Sequence, residues 1–241
     1  MLRQILNYFQ GKHQARTALP CMQDNNALAR AMNQDQALDA YVYTVVDTEL
    51  TGLLARKEEI VSLAAVRVQG LRIVPGEFVY TLVRPAIPLP KISTLIHRLT
   101  PELLVDAPAL HEVLPEFIEF CRGTLLVGHH IGLDMRFINR ACQRLYGQRL
   151  ANPCLDTMRM AMLWRDRNRS SQYGQFDTRI SYTLADLAEE FGLPRFPAHN
   201  ALGDALQTAY LFIYLARKTA RTTPLTLREL YRAGQRWRWY V

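Results

Sequence analysis

Two acidic residues at the end of an apolar run constrain this chain more than any other feature. Residues 41–48 are rich in β-branched and aromatic side chains, which predicts a buried strand. Asp47 and Glu49 lie two positions apart at its end, so both side chains project from the same side of the sheet. Like charges held this close raise each other's pKa unless a cation lies between them. Mg²⁺ takes carboxylate oxygens together with substrate phosphate, so the pair predicts a divalent-metal site.

An edge strand that ends in solvated acids is the alternative, and an isolated Asp-x-Glu motif does not distinguish the two. Thr51 and Gly52 follow the acids. They end the strand and allow a ligand to approach the backbone closely. The remaining acids of the chain therefore decide between a metal site and a plain strand end.

Composition narrows the class of protein. The 241 residues are 49% hydrophobic and 21% charged, which is typical of a globular protein with one substantial domain. No apolar run is long enough to span a bilayer or resembles a secretory signal, so we expect a cytoplasmic protein. The four cysteines form no Cys-x-x-Cys pair, which argues against a zinc site or disulfide framework and fits a reducing compartment. The net charge of +7 favours a polyanionic partner, nucleic acid first.

The hydrophobic pattern predicts an α/β domain with a mixed sheet flanked by helices. Residues 60–69 and 77–84 read as the second and third strands, and a turn over 69–72 links them as a hairpin. Prolines after residue 84 predict an extended loop, and residues 124–128 a short buried strand. A helix is predicted to begin at residue 101, with Thr100 as its N-cap. Five more helices are predicted at residues 108–122, 134–146, 157–164, 183–191 and 201–217. Three strands followed by alternating strand and helix are typical of this class.

Both ends of the chain differ from the central domain, which we place at residues 41–218. Within residues 1–40, positions 2–9 have helical spacing and predict a short amphipathic helix, followed by a polar stretch to residue 36 that we interpret as a mobile linker. In residues 219–241 arginine alternates with aromatic residues, a composition that can bind a single strand. We expect residues 226–234 to form a docked amphipathic helix. For residues 235–241 the sequence is compatible with three roles: packing on the domain, binding nucleic acid and binding a partner protein.

Three further acids lie at predicted helix starts. An acid in the first helical turn ordinarily complements the helix dipole, and this interpretation suits Asp156 and partly Asp134. It suits Asp204 less well, because with Asn200 as the helix cap Asp204 lies beyond the first three positions. The histidines nearby, His129, His130 and His199, are each compatible with an ordinary loop position.

Taken together, three blocks resemble the DnaQ-like (DEDDh) 3′–5′ exonucleases. The blocks are VDTELTG at residues 46–52, VGHHIGLD at 127–134 and HNALGDA at 199–205. The resemblance extends from residue 41 to about residue 218, and the segments 96–100 and 155–157 match as well. It implies a ribonuclease-H-like mixed β-sheet flanked by α-helices, with the acids around one cleft. A histidine in the third block, rather than a tyrosine, implies the DEDDh branch.

The resemblance also implies a role for each matched residue. Asp47, Glu49 and Asp204 would hold one Mg²⁺ or Mn²⁺ ion, Asp47 would bridge to a second ion, and Asp134 would hold that ion directly or through water. Two such ions, about 3.5–4 Å apart, can activate a water and stabilise a leaving oxygen. His199 would be the general base. The implied substrate-binding positions are Thr48, Leu50, Thr51, Gly52, His97 and His129.

Three residues depart from the family pattern. Leu50 replaces a small or hydroxylated residue, His130 an asparagine, and Leu133 an aromatic residue. We expect these changes to alter selectivity or rate rather than to remove metal binding. The sequence thus predicts a metal-dependent 3′–5′ exonuclease acting on single-stranded or frayed 3′ ends, DNA favoured and RNA open. A polymerase could bind through residues 1–40 or 235–241, and the rival interpretation is a non-catalytic nucleic-acid-binding or polymerase-accessory scaffold.

Overall fold

A computed structural model describes residues 19–168, 181–219 and 226–233, with backbone alone at residues 167 and 168. The amphipathic helix predicted near the start of the chain and the arginine-aromatic tail over residues 235–241 lie outside the described residues. Among the described helices, none is both long enough and apolar enough to cross a bilayer.

Within the described ranges, five strands form one mixed sheet in the order β3-β2-β1-β4-β5. The antiparallel part consists of β1 (Val42–Leu50), β2 (Ile60–Gln69) and β3 (Arg72–Leu82). β4 (Leu125–Gly128) and β5 (Cys154–Asp156) run parallel to β1. Helices flank this sheet, which confirms the predicted fold class.

The hairpin between β2 and β3 turns at Gly70 and Leu71, whose φ angles of +57° and +53° are those of a two-residue turn that matches the twist of the strands. β3 begins at Arg72, earlier than predicted, and continues through Pro75 and Gly76 because the pairing shifts register opposite them. β3 is an edge strand of the sheet, where a missing proline N–H costs no ladder hydrogen bond.

Helices cover both faces of the sheet. In the described ranges they are α1 (Pro20–Arg30), α2 (Lys91–His97), α3 (Pro101–Leu104), α4 (Leu110–Phe120), α5 (Gly132–Tyr146), α6 (Thr157–Asn168), α7 (Leu184–Glu190), α8 (Ala201–Thr219) and α9 (Leu227–Arg232). Successive strand residues point to opposite faces, so Val45 packs in a core with α8 while Val46 packs in a second core with α4 and α5. α8 lies across β1 and β2 and so brings its first turn near the end of β1.

The expected mobile linker is wrong over Pro20–Arg30, which forms α1. Pro20 begins the helix, and the buried Met22 packs against the core around α4 and α5. Asn25 and Asn26 are also buried: the Asn25 amide donates to the side chain of Asn152 at 2.6 Å, and that of Asn26 donates to a backbone carbonyl. The polar residues that suggested a linker are therefore docking contacts.

The expected extended loop is also wrong over Lys91–His97, which forms α2. The prolines that predicted a loop all precede the helix, and Pro90 occupies its N-cap position. Unlike an ordinary surface helix, α2 buries polar residues and exposes apolar ones. It buries Ser93 and His97 and exposes three aliphatic residues, Ile92, Leu95 and Ile96.

The predicted docked helix near residue 226 is confirmed as α9, which buries Leu227 and Leu230. Arg228 ties it to the segment after α1: its side chain donates to Asp35 at 2.9 Å and its backbone N–H donates to the carbonyl of Gln34. Residues 20–40 and 226–233 are thus joined to each other and to the sheet domain.

Candidate active site

The end of β1 presents two carboxylates on the face that packs against α8. Asp47 lies opposite Ala64 and Glu49 opposite Ser62 in regular antiparallel register, so the two acids share one face as predicted. The register then shifts between Glu49 and Leu50. A shift of this kind redirects the following side chain, and half-buried Leu50 packs against the core on the other face of the sheet.

The first turn of α8 brings Asp204 to the same place. The Asn200 side chain accepts a hydrogen bond from Gly203 N at 3.0 Å, so Asn200 caps the helix and Asp204 is its fourth residue. One carboxylate oxygen from each of Asp47, Glu49 and Asp204 lies within 4.8 Å of the other two. The structure therefore gathers three of the four predicted acids into one group of carboxylate oxygens that could hold a metal ion.

Asp134 lies beside this group without belonging to it. It is buried in the first turn of α5, and the Thr48 hydroxyl donates a hydrogen bond of 2.6 Å to its Oδ1. Because Thr48 points away from Asp47 and Glu49 along β1, this bond holds Asp134 at the margin of the group.

Burial raises the pKa of all four carboxyl groups, and repulsion by the other acids of the site adds to this for Asp47 and Glu49. Burial, with the charges of the other three acids, raises the pKa of Asp47 well above its usual range. Burial and the charges of Asp204 and Asp134 raise the pKa of Glu49 to about 7. Burial also raises the pKa of Asp134 and of Asp204, against the lowering effect of the hydrogen bonds that each accepts. A hard divalent cation with oxygen preference would relieve this repulsion, so the donor set fits Mg²⁺ or Mn²⁺.

His199 stands next to the carboxylates on the loop before α8. Its backbone N–H donates to Asp204 Oδ2 at 2.9 Å, its φ is +59°, and its side chain is exposed. The loop is anchored by Phe196, which stacks on Tyr210 at 5.8 Å between ring centroids and donates its N–H to Gln207. These contacts fix the backbone of the loop and leave the imidazole of His199 accessible.

His97 reaches the same region from α2. Its ring is 5% exposed, and Nδ1 accepts a hydrogen bond from Leu99 N at 3.0 Å. Nε2 has no hydrogen-bond partner among the described residues. Burial, and the nearby charge of His199, lower the pKa of His97. A buried nitrogen without a partner beside the acidic group is suited to a substrate hydrogen bond.

Two other predicted substrate-binding side chains are occupied within the protein. The ring of His129 bonds to Thr157 Oγ1 and to the carbonyl of Tyr182, both at 2.9 Å. The Thr51 hydroxyl donates to Glu58 at 2.6 Å and accepts from Glu59 N. The side chains of His129 and Thr51 thus form hydrogen bonds within the protein rather than standing free for a substrate.

Asp156 has the structural role that its position suggested. Its Oδ1 accepts from Met158 N at 3.0 Å at the start of α6 and from His130 N at 3.1 Å. His130 has a φ of +58°, a left-handed conformation that asparagine and histidine both tolerate, which explains why either can stand there. Sequence reasoning missed the anchors Phe196 and Tyr210, because Phe196 lies in the loop before α8 and Tyr210 within α8, so no periodic pattern of one element relates them.

Comparisons with known proteins agree with this geometry. Residues 44–212 match the RNase T family model, described as an exonuclease. The DNA polymerase III subunit epsilon of Aquifex aeolicus (strain VF5) is 36% identical over 180 residues, covering 75% of this chain and 82% of that protein. The PolC-type DNA polymerase III of Thermotoga maritima is 31% identical over 191 residues, covering 79% of this chain and 13% of that protein. The chain thus spans most of the first relative and a small part of the second.

Solved exonuclease structures share the architecture. Exonuclease X in complex with 5′ overhanging duplex DNA has a TM-score of 0.56 and 26% identity, covering 78% of this chain and 98% of that one. E. coli Exonuclease I in complex with a dT13 oligonucleotide has a TM-score of 0.63 and 17% identity, covering 75% and 42%. These neighbours confirm the predicted ribonuclease-H-like fold.

Proposed function

Because the chain belongs to the RNase T exonuclease family, we propose that it removes nucleoside monophosphates from the 3′ ends of single-stranded or frayed nucleic acid, with DNA favoured. The observation that carries this proposal is the group formed by Asp47, Glu49 and Asp204, with His199 bonded to Asp204. A non-catalytic scaffold of the same fold has no need for acids whose pKa values are raised by each other.

Asp47, Glu49 and Asp204 would hold one divalent ion, and Asp134 would contribute to a second, directly or through a water. Thr48 supports that role because it orients the Asp134 carboxylate. When bound, two ions would supply an activated water and stabilisation of the leaving 3′ oxygen.

His199 is the proposed general base. Its exposed imidazole can approach a water at the carboxylate group, while its backbone stays bonded to Asp204. The anchored loop restricts how far the ring can move, which favours a reproducible approach to the proton it accepts.

The unpartnered Nε2 of His97 is the proposed contact to the 3′-terminal nucleotide. On the outer side of the same helix, three aliphatic residues, Ile92, Leu95 and Ile96, are exposed. Lys91 and Arg98, also exposed, lie at the two ends of the helix and would contact phosphates.

A gel time course tests the proposal, with 5′-labelled single-stranded DNA and RNA of the same sequence incubated with Mg²⁺, Mn²⁺ or EDTA. We expect a metal-dependent ladder that shortens from the 3′ end, faster with DNA. An intact substrate with every metal, while the protein still binds the strand, would contradict the proposed activity and favour the scaffold. A 3′-labelled strand that shortens gradually and releases its labelled mononucleotide last would contradict the proposed 3′–5′ direction.

Since one relative is a polymerase III subunit by name, we also propose a proofreading or repair role beside a polymerase. Co-purification of a polymerase with the full chain, lost when residues 1–18 or 235–241 are removed, would support that assignment. Retention of the polymerase by both truncated chains would move the contact to the described part of the protein.

A further inference from the structure

A cavity of about 220 Å³ lies between the β2–β3 side of the sheet and the helices α4 and α5, and its lining residue Glu58 accepts the hydrogen bond of the Thr51 hydroxyl. None of the four proposed metal ligands lines it. Its floor is apolar and is made by Ile60, Val83, Leu110, Phe137 and Leu145. The cavity is a cleft open to solvent, so a ligand could enter without rearrangement of the sheet.

Four cationic side chains surround this floor: Lys57, Arg84, Arg140 and Arg144, all exposed. Within the described part of the chain, none of them forms an ion pair with a carboxylate. The Arg140 guanidinium donates to the carbonyl of Arg56 at 2.6 Å, and that of Arg84 to the carbonyl of Val105 at 3.3 Å. Each guanidinium has five donors, so most of them remain available to a ligand.

Two acids also line the cleft, and both are engaged by the protein. Glu58 accepts the hydrogen bond from the Thr51 hydroxyl at 2.6 Å, and Glu59 accepts from Ala86 N at 2.5 Å. Four cations against two acids leave the cleft with an excess of two positive charges. An anionic ligand is therefore favoured, and its apolar part would lie on the floor.

We propose that this cleft binds an acidic segment of a partner protein, with one leucine or phenylalanine on the floor and carboxylates on the surrounding arginines. Arginine matches carboxylates in a bidentate geometry, and an apolar anchor inside a polar rim is the usual arrangement of a peptide-binding site. A ligand that matches both the positive charge and the apolar floor carries negative charge and an apolar side chain together.

Nucleic acid is the less suitable occupant. Binding of a single strand uses exposed aromatic rings on which bases stack. The phenyl ring in the floor, Phe137, is only 4% exposed, the remainder of the floor is aliphatic, and His111 at the rim is the single exposed aromatic ring of the lining. The undescribed segments of this chain are also poor occupants, because residues 1–18, 169–180, 220–225 and 234–241 contain Asp177 as their only acid.

Fluorescence anisotropy of the full chain tests the site. The probe is a pool of fluorescein-labelled heptapeptides with two acids on either side of a central leucine or phenylalanine. The comparison pool replaces the acids by their amides. We expect saturable binding of the acidic pool, weakened at least tenfold by the double change Arg140→Glu and Arg144→Glu, which reverses two neighbouring rim charges. Ala86→Trp, which narrows the cleft without changing its charge, is expected to weaken binding as well.

The matched control is the double change Arg30→Glu and Arg72→Glu, which alters the net charge equally at exposed positions outside the cleft. It should leave peptide binding unchanged, and neither double variant should slow hydrolysis of single-stranded DNA. Absence of binding by the acidic pool would overturn the proposal. Equal weakening of peptide binding by both double variants would also overturn it. If Arg140→Glu/Arg144→Glu lost DNA binding and kept peptide binding, the cleft would belong to the nucleic-acid path instead.

Discussion

Asp47 experiences the charges of all three other acids, and its carboxylate is central to the proposed metal site. We expect Asp47→Asn to abolish hydrolysis and to remove the rise in melting temperature that Mg²⁺ or Mn²⁺ gives the wild-type protein, because a neutral amide is a poor ligand in place of a carboxylate. Asp39→Asn, at an exposed position in the turn before β1, is the matched control. A variant that still turns over substrate would contradict the metal assignment.

His199 adopts a left-handed backbone, so His199→Asn removes the imidazole while keeping a residue that tolerates this conformation. We expect turnover to fall by about 10²–10⁴-fold, the usual contribution of a general base, with metal-dependent stabilisation retained. Single-turnover hydrolysis measures the effect, and His111→Ala, another exposed histidine, should leave the rate unchanged. An unaltered rate in His199→Asn would place the base elsewhere.

Gly203 lies where α8 packs closely against the loop that carries His199. A Cβ at this position would lie 2.7 Å from the Pro197 carbonyl oxygen, closer than nonbonded atoms approach, and the obstructing atom is backbone. We expect Gly203→Ala to displace the loop that carries His199 and to lower kcat more than it lowers metal-dependent stabilisation. Steady-state hydrolysis rates measure kcat, and melting curves with and without Mg²⁺ measure the metal-dependent stabilisation. Unchanged kcat would mean that the loop position is not critical.

The packing of α1 depends on Asn152, which is buried and donates to Asn25, to the Cys121 carbonyl and to the Thr124 carbonyl. Asn152→Ala removes these three hydrogen bonds and the acceptor of the buried Asn25 amide, so we expect a loss of about 1–3 kcal/mol in the free energy of unfolding. The melting temperature should fall by about 2–4 °C per kcal/mol, with kcat unchanged. Asn33→Ala, at an exposed position, is the control, and equal stability of the two variants would contradict this role for Asn152.

The success of sequence reasoning varied with the type of element. β1 and β2 are almost continuous apolar runs and α8 keeps helical spacing over a long segment, and these three elements were predicted within two residues at each end. α1 was missed because its buried face includes Asn25 and Asn26, whose partners lie more than 100 positions away in sequence. α2 was missed because its apolar residues face solvent, so its pattern is not that of a packed helix.

At the candidate site, spacing alone placed Asp47 and Glu49 on one face, and the cap at Asn200 explained why Asp204 stands apart from ordinary first-turn acids. No local pattern could show that Thr48 bonds to Asp134 or that both nitrogens of His129 are occupied. These contacts join residues from different elements, and only the packed sheet brings them together.

The protein as a whole should show metal-dependent and pH-dependent stability. Between pH 4.5 and about 7 the folded, metal-free protein holds a proton on Glu49 that the unfolded chain releases, so this contribution to stability is lost as pH rises. His129, whose pKa burial lowers from 6.5 to about 4, acts in the opposite sense, since its contribution is lost as pH falls through that range. Glu49→Gln removes the first contribution and also lessens the repulsion on Asp47, and it leaves the contribution of His129 in place.

In EDTA, we therefore expect the difference in melting temperature, Glu49→Gln minus wild type, to increase as pH rises from 4.5 to above 7. With saturating Mg²⁺ the order should reverse at pH 8, because the wild type then binds metal more tightly. Parallel melting curves for the two proteins across this range in EDTA would contradict the assignment of Glu49 to the repulsive group.

The proline in the outer strand of the sheet also affects how the molecule behaves in crowded solution. β3 leaves one row of backbone groups unpaired, and this row could recruit a strand from a second copy. Pro75 lacks the N–H that such an added strand would need, and the irregular pairing beside Gly76 bends the row out of line. The opposite edge, β5, is only three residues long. The molecule is thereby protected against edge-to-edge aggregation at both borders of its sheet, although Phe78 and Tyr80 remain exposed along β3.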